Sequence, residues 1–332
     1  MDTGEIFQKI DEYFQKNELD TAKIFIQEEI SKNPDNILLY TELARTQLAL
    51  GEVDQATSNL EKALEKDQNN PTSYYYLALI ASMKEDYKQA LRLIDQAITI
   101  DTESSDLYNF RGLTLVSLED YELAIRSFRS ALKLNQEAPT IHYNLGRAFA
   151  LAQRYHKAKD SFTRAIDLNP NFPEFYYERA MAEASLSQFE DAIEDTQQAH
   201  QLNPENPIYK LSYLSLNSKY LSDNKQYKEA IPFLEELASI DPSTPNVYNL
   251  VKAYNNIDEN ETAIELLNLI LEQEKEHAPL LLEKANILSK TGKTDEAIEY
   301  YQKFIRSVKK NNIEEYQQEA KEMEQIFQNL KE

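Results

Sequence analysis

The sequence predicts an all-α solenoid of about nine stacked helix-turn-helix repeats, and three observations predict it. Alanine recurs at Ala22, Ala56, Ala90, Ala124, Ala158, Ala192, Ala230, Ala263 and Ala297, at spacings of 34 residues broken by one of 38 and one of 33. A second alanine follows seven residues later at Ala63, Ala97, Ala131, Ala165 and Ala199. A further small residue stands twelve before the repeat alanine at Ala44, Ala78, Gly112, Gly146, Ala180 and Ala285. A fixed period in the thirties, carried by small residues in helical pattern, means helical pairs that cannot bury their apolar faces alone and must stack.

Each element follows from this spacing. Seven residues is about two helical turns, so the two alanines share one face of the second helix of each pair. Between them sits Leu60, Ile94, Phe128 or Phe162. A small-large-small stripe lets a partner helix approach closely and interlock. The residue twelve earlier belongs to the first helix, where the two helices are expected to cross. Whole blocks recur as well: DYKQALRLIDQAI from Asp86, DYELAIRSFRSAL from Asp120, RYHKAKDSFTRAI from Arg154 and QFEDAIEDTQQAH from Gln188. Tyr87, Tyr121, Tyr155, Phe189 and Tyr227 fall three before the alanine and read as packing at the start of the second helix.

These residues resemble the tetratricopeptide repeat, whose 34-residue helix-turn-helix units carry small residues at three such places and often a closing proline. Pro34, Pro170, Pro204 and Pro242 stand at that last position in four copies. The resemblance spans about Thr3 to Lys310. It implies a right-handed superhelical α-solenoid with first helices lining a concave groove, and a common role in protein binding with partners that differ between members.

The organisation is regular over residues 3–206, six repeats, and changes over 207–310, three more. Between Ala192 and Ala230 the period lengthens by four residues, about one turn, and a longer first helix from near Pro207 to Leu221 accommodates it most simply. Pro232, two after its repeat alanine, is expected to kink the next helix. This seventh repeat reads either as a hinge or ledge or as local drift. Residues 311–332 place Ile313, Tyr316, Ala320, Met323, Phe327 and Leu330 on one stripe, the pattern of a capping helix.

Composition narrows the function classes. With 42% hydrophobic residues and 5 Gly the chain is neither disordered nor membrane-spanning, and no apolar run approaches the roughly 18 residues a spanning helix needs. MDTGEIFQKIDEYFQ is acidic and amphipathic rather than a secretory signal, so a cytoplasmic location is expected, or a periplasmic one if a signal has been removed. The absence of Cys excludes disulfides, thiol catalysis and thiolate metal sites. A net charge of -22 argues against nucleic acid and favours neutral or basic protein partners. The first half, residues 1–166, holds 19 Lys and Arg against 26 Asp and Glu, and residues 167–332 hold 16 against 31. The C-terminal acidity reads either as a solvated face or as electrostatic steering of a basic segment.

The geometry that the resemblance implies puts the residues fifteen and eleven before each alanine on the groove. The first set includes Tyr75, Asn109, Tyr143, Tyr177 and Tyr248, and the second Arg45, Leu79, Leu113, Arg147, Met181 and Lys252. Asn144, beside Tyr143, adds an amide for a peptide backbone. Tyrosine suits a binding face because a large ring gives contact area at low entropy cost. An aromatic at helical spacing also fits inter-repeat packing, and the sequence leaves both readings open for Tyr75, Tyr143 and Tyr177. A well-known subset of the family grips chaperone C-terminal carboxylates with Lys, Asn and Arg on successive first helices. The basic residue this needs fifteen before the alanine is missing from every regular copy, so such a clamp is not expected, although Arg45 and Arg147 remain able to hold an isolated carboxylate.

Nothing points to catalysis, a cofactor or a metal. His142, His156, His200 and His277 are scattered without ligand spacing, and no phosphate-cradling glycine motif is present. Gln47 and Glu183 stand where other copies carry a large apolar residue; a solvated edge is the expectation, a polar network or groove contact the alternative. The resulting reading is a non-enzymatic interaction scaffold that binds a peptide or protein segment in the concave groove. The alternative is an accessory or regulatory subunit of a larger enzyme or envelope-assembly complex, held through the acidic C-terminal repeats.

Overall fold

The computed structural model describes residues 3–329, and side chains through residue 326; the stripe residues Phe327, as a side chain, and Leu330 lie outside the described residues. The chain divides between Leu186 and Ser187 into two compact units. Among the described residues both are built from antiparallel helical hairpins without strands.

Unit 1 begins with α1 (Thr3–Gln15) and α2 (Leu19–Lys32), then α3 (Ile37–Ala49) and α4 (Val53–Lys66). It continues through α5 (Pro71–Met83), α6 (Tyr87–Ile100), α7 (Ser105–Ser117) and α8 (Tyr121–Leu134). α9 (Pro139–Leu151), α10 (Tyr155–Leu168) and α11 (Pro173–Ser185) complete it. Unit 2 opens with α12 (Phe189–Leu202), α13 (Pro207–Asp223) and α14 (Tyr227–Ile240). α15 (Thr244–Asn256), α16 (Asn260–Gln273), α17 (Ala278–Lys290) and α18 (Thr294–Asn311) follow, and after a short 3-10 turn comes α19 (Gln317–Asn329).

Local chemistry fixes the turns. Proline at the first position of α5, α9, α11 and α13 supplies a preset φ where no N–H is needed. The hairpin turns use one left-handed residue each: Asn17, Glu85, Glu119, Gln153, Ser187, Lys225 and Asp258, with glycine at Gly51 and Gly292. At the third hairpin the Glu85 and Asp86 amides donate back to the carbonyls of Ser82 and Ala81, at 3.0 and 2.9 Å, which closes α5. The Asp86 carboxylate then accepts from the Gln89 amide at 3.0 Å and opens α6. Asp120 does both jobs between α7 and α8. One acidic residue therefore ends one helix and starts the next.

The repeat small residues form the helix crossings. Ala22, Ala56, Ala90, Ala124, Ala158, Ala192, Ala230 and Ala263 are fully buried, as are the second alanines seven residues on. On the first helices Ala44, Ala78, Ala180 and Ala285 are equally enclosed, and Gly112 and Gly146 lie directly against the rings of Phe128 and Phe162.

Two sequence expectations are corrected. Gln47 and Glu183 are not solvated edges: they are 2% and 3% exposed. Gln47 accepts from Asn59 at 2.8 Å and donates to Gln55 at 3.2 Å, both on α4. The Glu183 carboxylate pairs with Lys159 of α10 at 3.1 Å and lies 4.0 Å from Arg179. A polar side chain at this crossing position faces a neighbouring helix rather than water, and it survives there because that helix supplies its partners.

Another polar link spans three helices. Arg111 on α7 donates to Asp95 of α6 at 2.6 Å and to Ser127 of α8 at 2.7 Å. In unit 2 Lys284 on α17 is 5% exposed and reaches Asn268 of α16 and the Tyr300 hydroxyl of α18, the latter at 2.6 Å.

α13 has 17 residues, where the other first helices have 13. α14 is continuous through Pro232, and both Pro232 and Lys228, whose carbonyl loses its helical partner to the proline, are exposed residues. At the end of unit 2, Ala320, Tyr316, Met323 and Ile313 close over the Phe304 and Val308 core, with Tyr316 edge-on to Phe304 at 5.9 Å. Lys309 of α18 and Glu324 of α19, 2.7 Å apart, add an ion pair to this lid. No helix among the described residues is long and apolar enough to cross a membrane.

Candidate peptide-binding face

In unit 1 consecutive first helices touch: α3 with α5, α7 with α9, and α9 with α11. This side-by-side arrangement carries ten of the twelve residues expected on the binding face. Tyr248 and Lys252 belong to unit 2.

Most of the ten are engaged with the neighbouring repeat as well as with the surface. Tyr75 is half-buried, edge-on to Phe110 of the next first helix at 5.3 Å and to Tyr76 at 5.4 Å. Tyr143 lies 5.1 Å from Phe175 and 6.0 Å from Phe162, with the Arg147 guanidinium 5.8 Å from its ring. The Asn144 amide donates to Asn109 at 3.0 Å, so these two amides meet each other across the repeat boundary. Leu79 is half-buried, Leu113 is exposed, and Tyr177 and Met181 are half-buried one turn apart on α11.

The two arginines differ. Arg45 pairs with Glu42 at 2.8 Å and with Asp11 at 3.2 Å, and its guanidinium stacks 4.1 Å over the Phe14 ring. A ligand carboxylate at Arg45 would have to displace two resident ones. Arg147 is exposed, with Glu178 at 3.8 Å. Burial pushes the Glu178 carboxyl above its usual range, opposed by Arg147. Burial likewise raises Glu42, against the pull of Arg45.

A cavity of about 260 Å³ opens between the third and fourth repeats, walled by Tyr75 and Tyr76 on one side and by Asp101, Ser104 and Asp106 on the other. No cation among the described residues lies within ion-pair distance of Asp101 or Asp106. Burial, then the Asp106 charge, raises the Tyr75 hydroxyl; burial and Glu42 push Tyr76 up to about 12. Two rings and two carboxylates around one space favour a cationic side chain. Sequence reasoning found Tyr75 but missed Tyr76, Asp101 and Asp106. The signal was the polar loop DTESSD, which joins these repeats without the closing proline.

In unit 2, Lys252 sits 4.3 Å over the Tyr248 ring, and burial with the Glu283 charge pushes the Tyr248 hydroxyl up to about 12. Among the described residues no group of three or more His, Asp or Glu is placed to hold a metal ion.

Comparison with known proteins settles the family. Models of the tetratricopeptide repeat match residues 59–92, 112–153, 139–172, 173–206, 218–244 and 278–307. The chain belongs to the tetratricopeptide repeat family. Solved structures agree at the level of fold. The C-terminal part of a tetratricopeptide repeat protein from Cytophaga hutchinsonii is 22% identical over 74% of this chain and 99% of its own, with a TM-score of 0.60. PilF of Pseudomonas aeruginosa is 22% identical over 63% of this chain and 94% of its own, TM-score 0.53. A chain of the APC/C hetero-tetramer Cut9–Hcn1 is 17% identical over 74% of this chain and 48% of its own, TM-score 0.55. No curated protein sequence matches the chain. Tetratricopeptide repeats form protein-interaction scaffolds, and the chain is one of them.

Proposed function

We propose that unit 1 binds an extended polypeptide segment across its first helices, with a lysine or arginine of the segment entering the cavity between Tyr75, Tyr76, Asp101 and Asp106. The observation that carries this reading is the pair of carboxylates without a cation partner facing two aromatic rings. A ligand cation there gains both the ring quadrupoles and the carboxylate charge, about 1–2 kcal/mol from the rings when desolvated. Leu79, Leu113 and Met181 supply apolar contact beside it, and the exposed Arg147 guanidinium suits an acidic or carbonyl group further along the segment. The net charge of -22 draws basic segments toward the chain from a distance.

The test is selection of peptides from a random library on the intact protein, followed by affinity measurement on an Asp101→Asn, Asp106→Asn variant. Neither carboxylate is buried, so the fold tolerates both changes. Selected peptides are expected to share a basic residue and to lose about tenfold in affinity on the variant, two charge-assisted contacts being removed. Peptides without a basic preference, or with unchanged affinity, would defeat the reading. Retained capture of a partner complex by that variant would favour attachment through the acidic C-terminal repeats instead.

A further inference from the structure

The lengthened first helix of unit 2 builds a second, chemically different cleft. α13 and α15 face each other across a cavity of about 380 Å³, floored by Leu234 and Leu237 of α14. From α13 come Ser215, Ser218, Lys219 and Ser222, spaced three or four apart and therefore on one stripe of that helix. From α15 come Asn249 and Lys252, one turn apart. The last turn of α13, residues 220–223, is the length that the regular first helices lack, and it brings Ser222 and Asp223 to the rim.

The lining is rich in donors. Ser218, 4% exposed, occupies the place where Ala44 and Ala78 make the crossing in earlier repeats; it keeps the small volume and adds a hydroxyl, which donates to the Ser215 carbonyl at 3.1 Å. Among the described residues the hydroxyls of Ser215 and Ser222 and the amide of Asn249 make no intramolecular hydrogen bond.

Two ammonium groups, of Lys219 and Lys252, also line the cleft. Unit 2 holds 15 Lys and Arg against 27 Asp and Glu in its sequence. Several of its cations are held by carboxylates: Lys210 by Glu236, Lys290 by Asp258, Lys303 by Glu299 and Lys310 by Glu276, all within 2.7 Å. Lys219 and Lys252, the two that line the cleft, are not. Among the described residues neither has a carboxylate within ion-pair distance; each lies only over a ring, of Phe189 at 5.7 Å and of Tyr248 at 4.3 Å. Asp223, four residues beyond Lys219 and on the same cleft, does not pair with it.

We propose that the cleft between α13 and α15 is a binding site for an oxyanion-bearing side chain of a polypeptide, held by Lys219 and Lys252 with hydroxyl and amide donors from Ser215, Ser222 and Asn249. Carboxylate and phosphate share this chemistry. Both ammonium groups are exposed at the mouth of the cleft, above the apolar floor of Leu234 and Leu237, and the volume admits a side chain together with a short stretch of its backbone. Asp223 at the rim opposes the anion and sets the sign of one test. This site is independent of the acidic, cation-accepting pocket proposed in unit 1, and the two take ligands of opposite charge.

Backbone amide shifts of the full chain are followed by NMR during titration with capped tripeptides, acetyl-Gly-X-Gly-amide, where X is phosphoserine, glutamate, serine or lysine. The expected result is a saturable shift at residues 215–223 and 246–256 with the phosphoserine or glutamate peptide, weaker by at least fivefold with serine and lysine. The ranking of phosphoserine against glutamate identifies the source of the oxyanion. Lys219→Gln with Lys252→Gln is expected to weaken binding about tenfold, and Asp223→Asn to tighten it about twofold. All three residues are exposed, and a thermal melt checks that the variants fold. Acidic tripeptides that bind no better than serine, or an affinity unchanged in the double lysine variant, would overturn the proposal. Neither result bears on the basic-peptide test of unit 1.

Discussion

A Cβ placed on Gly112 would stand 2.5 Å from Cε1 of the Phe128 ring. The pair lies sixteen residues apart on α7 and α8, and the same offset joins Gly146 to Phe162, Ala44 to Leu60 and Ala78 to Ile94. Where the second helix carries phenylalanine the first gives up its methyl group; where it carries leucine or isoleucine the first keeps it. Gly112→Ala is expected to cost about 1–3 kcal/mol by overpacking. Phe128→Leu in the same chain is expected to recover most of that loss, because the double variant recreates the Ala44–Leu60 pairing. A double-mutant cycle by chemical denaturation measures the coupling; additive effects would mean the two residues do not share one space.

The left-handed turn residues give a stabilising change. Glu85 and Glu119 hold φ near 60° with exposed side chains. Glycine adopts this region without the steric cost of a Cβ, which outweighs its greater chain entropy by a small margin. Glu85→Gly and Glu119→Gly are each expected to raise stability by about 0.5 kcal/mol. Gly51→Glu, at φ 78°, is expected to lower it by a similar amount, and melting temperatures compare the three.

The Glu183 pair predicts a large loss from one change. Lys159→Met removes the ammonium 3.1 Å from a carboxylate that is 3% exposed. Breaking a buried pair in this way costs about 3–5 kcal/mol, reduced here to about 2 because Arg179 stays within 4.0 Å and Lys159 itself is partly exposed. Adding Glu183→Leu to Lys159→Met should restore stability, since the orphaned charge is then gone. Urea unfolding of the two variants separates loss of a pair from loss of packing.

Alkaline pH should loosen the chain through its tyrosines. Burial pushes the hydroxyls of Tyr76, Tyr248 and Tyr254 up to about 12, aided at Tyr76 by Glu42, at Tyr248 by Glu283 and at Tyr254 by its hydrogen bond to Glu235. An unfolded tyrosine ionises near pH 10. The folded state thus holds these protons longer, so the stabilisation is complete below pH 10 and is lost as pH rises toward 12. Phenolate absorbance should show a late-ionising set of tyrosines, and Tyr76→Phe should flatten the decline in stability between pH 10 and 12.

The periodic alanines made the fold legible, because a residue that must be small at a crossing is small in almost every copy. Ala22 through Ala263 could be read as core from spacing alone. Gln47 and Glu183 could not: each breaks the apolar pattern, and the residues that satisfy them, Asn59 and Lys159, lie on another helix at offsets that no single-helix period reveals. The hairpin turns were hidden for a different reason. Glutamate, glutamine and lysine at left-handed positions carry no local signature; Gly51 and Gly292 announce one, and Asn17 and Asp258 do so more weakly. On the candidate face the spacing located Tyr75 and Tyr143 on the first helices, while their ring contacts with Phe110 and Phe175 depend on how one repeat is rotated against the next. The break in period before Ala230 marked the seventh repeat, yet the donor-lined cleft needed α15 as its opposite wall.

The ties between repeats reach only a short way along the chain. Arg45 to Asp11, Asn144 to Asn109 and Lys310 to Glu276 span 34, 35 and 34 residues. A chain linked in this manner can be completed from its beginning while its end is still being made. At about 5–20 residues per second of synthesis, each new repeat emerges within a few seconds and finds the surface it must cover already in place. The nascent protein then exposes one uncovered hairpin face at a time, and that moving face, rather than the whole apolar interior, is what chaperones at the ribosome would have to shield.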